Sequence, residues 1–139
     1  MDKGGFIEHL KIEGFSSQIL KAFEKVPREK FIPENLENYA YEDIALPLES
    51  GATISQPYTI AFMLNLLELK GGQKILEIGS GCGYVLALLF EIAKGEVYGI
   101  EIIKSLAERS KSILSELGYK KIKLIQGNGF LGLKEKAPF

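Results

Sequence analysis

The sequence predicts an α/β protein built on a parallel sheet. Three observations carry this. From Gly71 onward, short β-branched runs alternate with helical stretches, a glycine-rich turn follows the first of those runs, and the residues before position 70 show helical spacing without such alternation. Right-handed crossovers put the three strands in the spatial order 3-2-1. The expected organisation is an N-terminal helical and loop segment over residues 1–69, packed on a βαβαβ half-domain over residues 70–139. At 139 residues, 46% hydrophobic and 25% charged, the chain has the length and apolar content of one core-forming domain. That composition excludes disorder, and a single cysteine excludes a disulfide scaffold.

A first helix is expected from Ser16 or Ser17 to Lys25. Serine caps the open amides, and Ile19, Leu20, Phe23 and Val26 recur at helical spacing until Pro27 and Pro33 stop it. Residues 27–56 read as an irregular stretch anchored by Phe31, Tyr39 and Tyr41. A second helix starts at Ser55-Gln56-Pro57, since proline suits a first turn. Ile60 to Leu69 is apolar on nearly every side, which predicts a helix buried on most of its surface. Strands follow at 74–78, 96–101 and 121–126, and helices at 84–93 and 104–117, the last ended by Gly118. A doubly wound sheet has a second half beyond its first strand. Here that half is missing, so the chain reads as cut short, with its first strand an apolar edge open to dimerisation or strand exchange.

A formal charge of −1 gives no electrostatic reason to expect nucleic acid or an anionic membrane as partner. The N-terminal residues lack the apolar core of a secretory signal, and a cytoplasmic location is the default expectation.

The run Leu76-Glu77-Ile78-Gly79-Ser80-Gly81-Cys82-Gly83 leaves a strand and enters a helix. Glycines there allow a tight turn and a close approach of ligand to backbone. The spacing is not the dinucleotide G-x-G-x-x-G, because Tyr84 follows Gly83, and no Gly-Lys-Ser/Thr asks for a triphosphate. Glu101, at the end of the second strand, is placed to accept the hydroxyls of an adenosine ribose. An adenosine ligand without phosphates is left, with S-adenosylmethionine the leading candidate.

Several segments together resemble the protein-L-isoaspartate O-methyltransferases: Val26-Pro27-Arg28-Glu29-Lys30-Phe31, Ala40-Tyr41-Glu42-Asp43, Thr53-Ile54-Ser55-Gln56-Pro57, the glycine loop, Glu96 to Glu101, Gly127-Asn128-Gly129 and Ala137-Pro138-Phe139. The glycine loop is generic for methyltransferases; Thr-Ile-Ser-Gln-Pro ahead of a helix is specific. The resemblance implies a Rossmann-like methyltransferase fold. It also implies methyl transfer from S-adenosylmethionine to the α-carboxylate of L-isoaspartyl residues in damaged proteins or peptides, leaving S-adenosylhomocysteine. That chemistry needs little acid–base help, because a sulfonium is already a good leaving group and a carboxylate is ionised at pH 7. The alternatives are a non-catalytic S-adenosylmethionine-binding module and a fragment that needs a partner for the missing strands.

By the same resemblance Ser55 is the active-site serine, orienting the substrate carboxylate at a helix start; its other reading is a plain helix cap. Thr53 and Ile54 line the substrate side, Ile54 equally as packing. Gly79, Ser80, Gly81 and Gly83 form the cofactor loop, Glu77 orients it or reaches the cofactor's ammonium group, and Glu101 takes the ribose. Asn128 and Gly129 stand at the adenine; Asn128 replaces the family's aspartate, keeping a carbonyl acceptor without the charge. Cys82 has no basic partner beside it and reads as a small loop residue, His9 as a surface residue, and Lys111, Lys120, Lys121 and Lys123 as a solvated face.

Overall fold

Helices α1 (Lys3–Ile12) and α2 (Ser17–Lys25) open the computed structural model, which describes residues 1–139. The chain divides into two units, Met1–Leu69 and Lys70–Phe139. In the first unit α1 is an element the sequence reading lacks, because Gly4 and Gly5 disfavour a helix. It forms because the Asp2 carboxylate accepts the Gly5 amide at 2.8 Å and because Phe6 and Leu10, one turn apart, are both buried. Helix α2 starts as expected, Ser16 accepting the Ile19 amide at 3.4 Å. Phe6 meets Phe23 of α2 with ring centres 5.8 Å apart.

Residues 27–56 are irregular, as expected: two 3-10 turns (Arg28–Phe31 and Glu34–Tyr39), then a small antiparallel pair of β1 (Leu46–Pro47) with β2 (Thr53–Ile54), joined through a third 3-10 turn, Glu49–Gly51. Phe31 is fully buried and the Tyr41 hydroxyl donates to Glu29, so both anchor the stretch. Tyr39 does not; half of it is exposed. Arg28 is completely buried and donates to the Ile44 carbonyl at 3.4 Å.

Helix α3 runs Pro57–Leu66, with Pro57 in its first turn. Its start is capped from a distance: Asp43 accepts the Tyr58 amide through Oδ1 and the Gln56 side-chain amide through Oδ2, each at 2.8 Å. Asp43→Ala therefore leaves α3 without its cap, and thermal or urea unfolding should register a loss of about 1–2 kcal/mol. An unchanged midpoint would remove the cap from this account. Only one stripe of α3 is buried (Pro57, Ile60, Ala61 and Leu64), while Phe62, Met63, Leu66 and Leu67 are exposed. This corrects the expectation of burial on most of its surface. An all-apolar helix lacks the polar face that would mark which side meets the core.

The second unit holds β3 (Lys74–Ile78), α4 (Tyr84–Ala93), β4 (Glu96–Glu101), α5 (Lys104–Glu116) and β5 (Lys123–Gln126). The sheet is parallel, with β4 in the middle, the 3-2-1 order the sequence predicts. Strand β3 is bonded on one side only. Strand β5 begins two residues later than expected because the Ile122 amide is held in a turn by the Tyr119 carbonyl at 3.1 Å. Helix α4 is almost wholly buried, and α5 buries the stripe Leu106, Ala107, Ser110 and Leu114. No helix is long and apolar enough to cross a membrane.

Candidate functional site

Strand β3 ends at Ile78, and the turn to α4 takes left-handed backbone at Gly79 (φ 74°), Gly81 (φ 55°) and Gly83 (φ 86°). Such conformations favour glycine, which is why the turn has this composition. Ile78 pairs with Ile100, so Glu101, the last residue of β4, arrives beside the turn. The Ile100 carbonyl accepts the amides of Gly79 and Ser80 at 2.8 and 3.1 Å. Glu101 accepts the Gly81 amide on Oε2 at 2.8 Å and the Ile103 amide on Oε1 at 2.9 Å. The Ser110 hydroxyl of α5 donates to the Gly81 carbonyl at 2.8 Å. The turn is thus braced by β4 and α5 before any ligand arrives.

The glycines differ in what they allow. A Cβ at Gly83 would stand 3.1 Å from Ser110 Oγ and 3.2 Å from Leu114 Cδ1, so this position serves the approach of α4 to α5. At Gly79 and Gly81 nothing lies within 4 Å of an added Cβ, which leaves an open flank. Two polar atoms of this region are buried without a partner: Ser80 Oγ and Glu77 Oε2. Glu77 keeps partial residue exposure, but its carboxyl is buried. Burial, and after it the neighbouring Glu101 charge, together raise its pKa from 4.5 to about 8.

The end of β5 closes the third side. The Gly127 amide donates to the Glu101 carbonyl at 2.9 Å and the Gln126 side chain to the Ile102 carbonyl at 3.1 Å. Asn128 is exposed, and its Oδ1 accepts the Phe130 amide at 3.0 Å, capping the turn Gly129–Leu131. Gly129 lies on the end of β3, where a Cβ would come 2.4 Å from Ile78 Cγ2. Glu77, Gly79, Ser80, Gly81, Gly83, Glu101, Asn128 and Gly129 therefore all lie at the carboxyl ends of the three strands, where open α/β sheets bind ligands. Sequence reasoning missed the apolar residues there: Ile78, Ile102 and Phe130 are all exposed, Phe130 by 95%. The available signal was their position, each adjacent in sequence to a site residue.

In the first unit, Thr53 and Ser55 are exposed, and Ser55 makes no hydrogen bond within the chain. The cap reading of Ser55 is wrong: the capping position belongs to Gln56, and the first free amide of α3 goes to Asp43. Ile54 takes the packing half of its two readings, being 4% exposed and paired with Leu46. Cys82 is buried and His9 half-buried. Lys111, Lys120, Lys121 and Lys123 are exposed. Three of them line a hollow of about 370 Å³ with Ser115 and Tyr119. That hollow sits by the start of β5, away from the strand ends that carry the glycine turn.

Comparison with known proteins converges on one group. The family model for protein-L-isoaspartate(D-aspartate) O-methyltransferase matches residues 1–139. The chain is 50% identical over 133 residues to protein-L-isoaspartate O-methyltransferase 2 of Anaeromyxobacter sp. (strain Fw109-5), an alignment covering 95% of this chain and 54% of the relative. It is 44% identical over 135 residues to protein-L-isoaspartate O-methyltransferase 2 of Archaeoglobus fulgidus, covering 95% and 62%. Among solved structures, a protein-L-isoaspartate O-methyltransferase superposes with TM-score 0.89 at 32% identity, covering 99% of this chain and 46% of that one. A putative enzyme of that name from Plasmodium falciparum, in complex with S-adenosyl-L-homocysteine, gives 0.81 at 25% identity, covering 98% and 67%. The chain thus spans between 54% and 62% of the length of these two curated relatives. With a family model matched from end to end and the α/β methyltransferase fold shared, the chain belongs to the protein-L-isoaspartate(D-aspartate) O-methyltransferase family.

Proposed function

We propose that the chain forms the S-adenosylmethionine-holding part of an enzyme that methylates the α-carboxylate of L-isoaspartyl residues in damaged proteins and peptides, a protein-repair reaction. The observation that carries this reading is the contact of Glu101 with the glycine turn: the carboxylate is aimed at Gly81, beside the open flank of Gly79 and Gly81. The residues present fit the cofactor. Each oxygen of Glu101 accepts one amide and retains acceptor capacity for a ribose hydroxyl. Asn128 Oδ1, already accepting one amide, has a second lone pair for the adenine amino group, at lower strength than a carboxylate would offer. Ile102 and Phe130 offer apolar surface to the base.

When bound, S-adenosylmethionine supplies the electrophilic methyl group and its own leaving group. The chain's part is therefore positioning. On the substrate side, Ser55 donates from an exposed hydroxyl with no competing bond, and Thr53 flanks it. Ile54 supports both from the core.

The test is incubation of the purified chain with methyl-labelled S-adenosylmethionine and an isoaspartyl peptide, the normal aspartyl peptide serving as control. The reading requires base-labile methyl ester on the first and none on the second. Ligand binding without ester would make the chain a non-catalytic binding module instead.

A further inference from the structure

The near-zero formal charge of the chain conceals a division between its units. Met1–Leu69 holds six basic and eleven acidic residues, Lys70–Phe139 eleven basic and seven acidic. In the basic unit, Lys111, Lys120 and Lys123 line the hollow of about 370 Å³ at the start of β5. Leu114, Ile122 and Leu124 give it apolar walls, and Ser115 adds a hydroxyl that bonds to nothing else in the chain. We propose that this hollow docks an acidic segment of a protein partner, whose carboxylates meet the three ammonium groups while one apolar side chain enters between the walls. The site is separate from the cofactor reading, since the glycine turn lies at the opposite ends of the parallel strands.

The chain does not neutralise these lysines itself. Lys111 and Lys120 form no ion pair. Glu108, three residues before Lys111, faces Lys104 at 3.9 Å, and Glu116, four before Lys120, accepts the Ser112 hydroxyl at 2.9 Å. Glu96 is a single acid shared among Lys74, Lys123 and Lys136. Glu91 accepts the Tyr119 hydroxyl and pairs with Lys94. The donors suit carboxylates better than phosphate. A compact phosphate is held by converging backbone amides or by the planar fork of arginine. No arginine lines the hollow, and the amides of Leu117, Gly118, Tyr119 and Ile122 all go to backbone carbonyls. Separate point charges around apolar walls match carboxylates spaced along a peptide with an apolar residue among them. Steadying the carboxyl end of α5 would account for Lys120, but not for Lys111 in the middle of that helix.

The test is binding of a fluorescein-labelled peptide, one leucine flanked by glutamates, to the purified chain, read by anisotropy and by backbone amide chemical shifts. The expected result is saturable, salt-sensitive binding with shifts gathered at residues 111–124. The double variant Lys111→Gln/Lys120→Gln should bind about tenfold more weakly. Lys104→Gln/Lys134→Gln removes the same charge from the same unit outside the hollow, and should leave affinity within about twofold. Equal losses in the two double variants would overturn the proposal, since only the overall charge of the unit would then matter. An all-glutamate peptide binding as tightly would overturn it too, because the apolar walls would be idle. So would pyrophosphate or an RNA oligonucleotide displacing the label at lower concentration than the unlabelled peptide does. Absence of binding at about 1 mM peptide, or shifts centred outside residues 111–124, would end it outright.

Discussion

Replacing Glu101 with glutamine is expected to weaken S-adenosylhomocysteine binding about 100-fold, read by calorimetry. Two losses combine. A ribose hydroxyl that donates to a carboxylate gains a charge-assisted bond, and a neutral amide does not replace it. In addition, both present oxygens accept backbone amides, from Gly81 and from Ile103. Whichever way the glutamine amide is turned, its NH₂ faces one of those N–H groups, donor against donor. The turn then shifts, and stability should fall by about 1–2 kcal/mol. Affinity within threefold of wild type would reduce Glu101 to a brace for the turn.

The second large effect is on stability against pH, through Glu77. Its folded pKa of about 8 lies above the unfolded value of 4.5, so between those values the folded state binds more protons than the unfolded one. Stability from this group is therefore fully present below pH 4.5 and declines as pH rises towards 8. A tenfold difference in proton affinity is worth ~1.4 kcal/mol, so the total runs to a few kcal/mol. Glu77→Gln keeps the shape and removes the titration. Urea unfolding at pH 5.5 and pH 8 should show wild-type protein losing stability across that interval beyond any loss in the variant, and the variant the more stable at pH 8. Parallel pH profiles for the two proteins would contradict the burial of an uncompensated carboxyl.

The α/β unit was the legible part of the sequence. Strands 74–78 and 96–101 and helix 84–93 appear with the expected bounds, because period, glycine punctuation and length agree there. The N-terminal unit was less legible. Helix α1 depends on a cap at Asp2 and two buried residues that outweigh the propensity of Gly4 and Gly5. The start of α3 depends on Asp43, a partner well upstream that local patterns do not show. The exposed residues of α3 show the same limit, since apolar composition alone does not say which face is covered. At the site, the glycine turn and the acid at 101 were readable because backbone conformation and strand register demand them. The bond from Phe130 to Asn128 and the burial of the Glu77 carboxyl were not, since both follow from three-dimensional placement of neutral or ordinary residues.

A crystal structure of the chain with S-adenosylhomocysteine tests the central claim most directly. The account predicts both ribose hydroxyls within hydrogen-bonding distance of the Glu101 carboxylate and the homocysteine tail running along Gly79 to Gly81. Ligand density elsewhere on the chain, or a ribose turned away from Glu101, would contradict it.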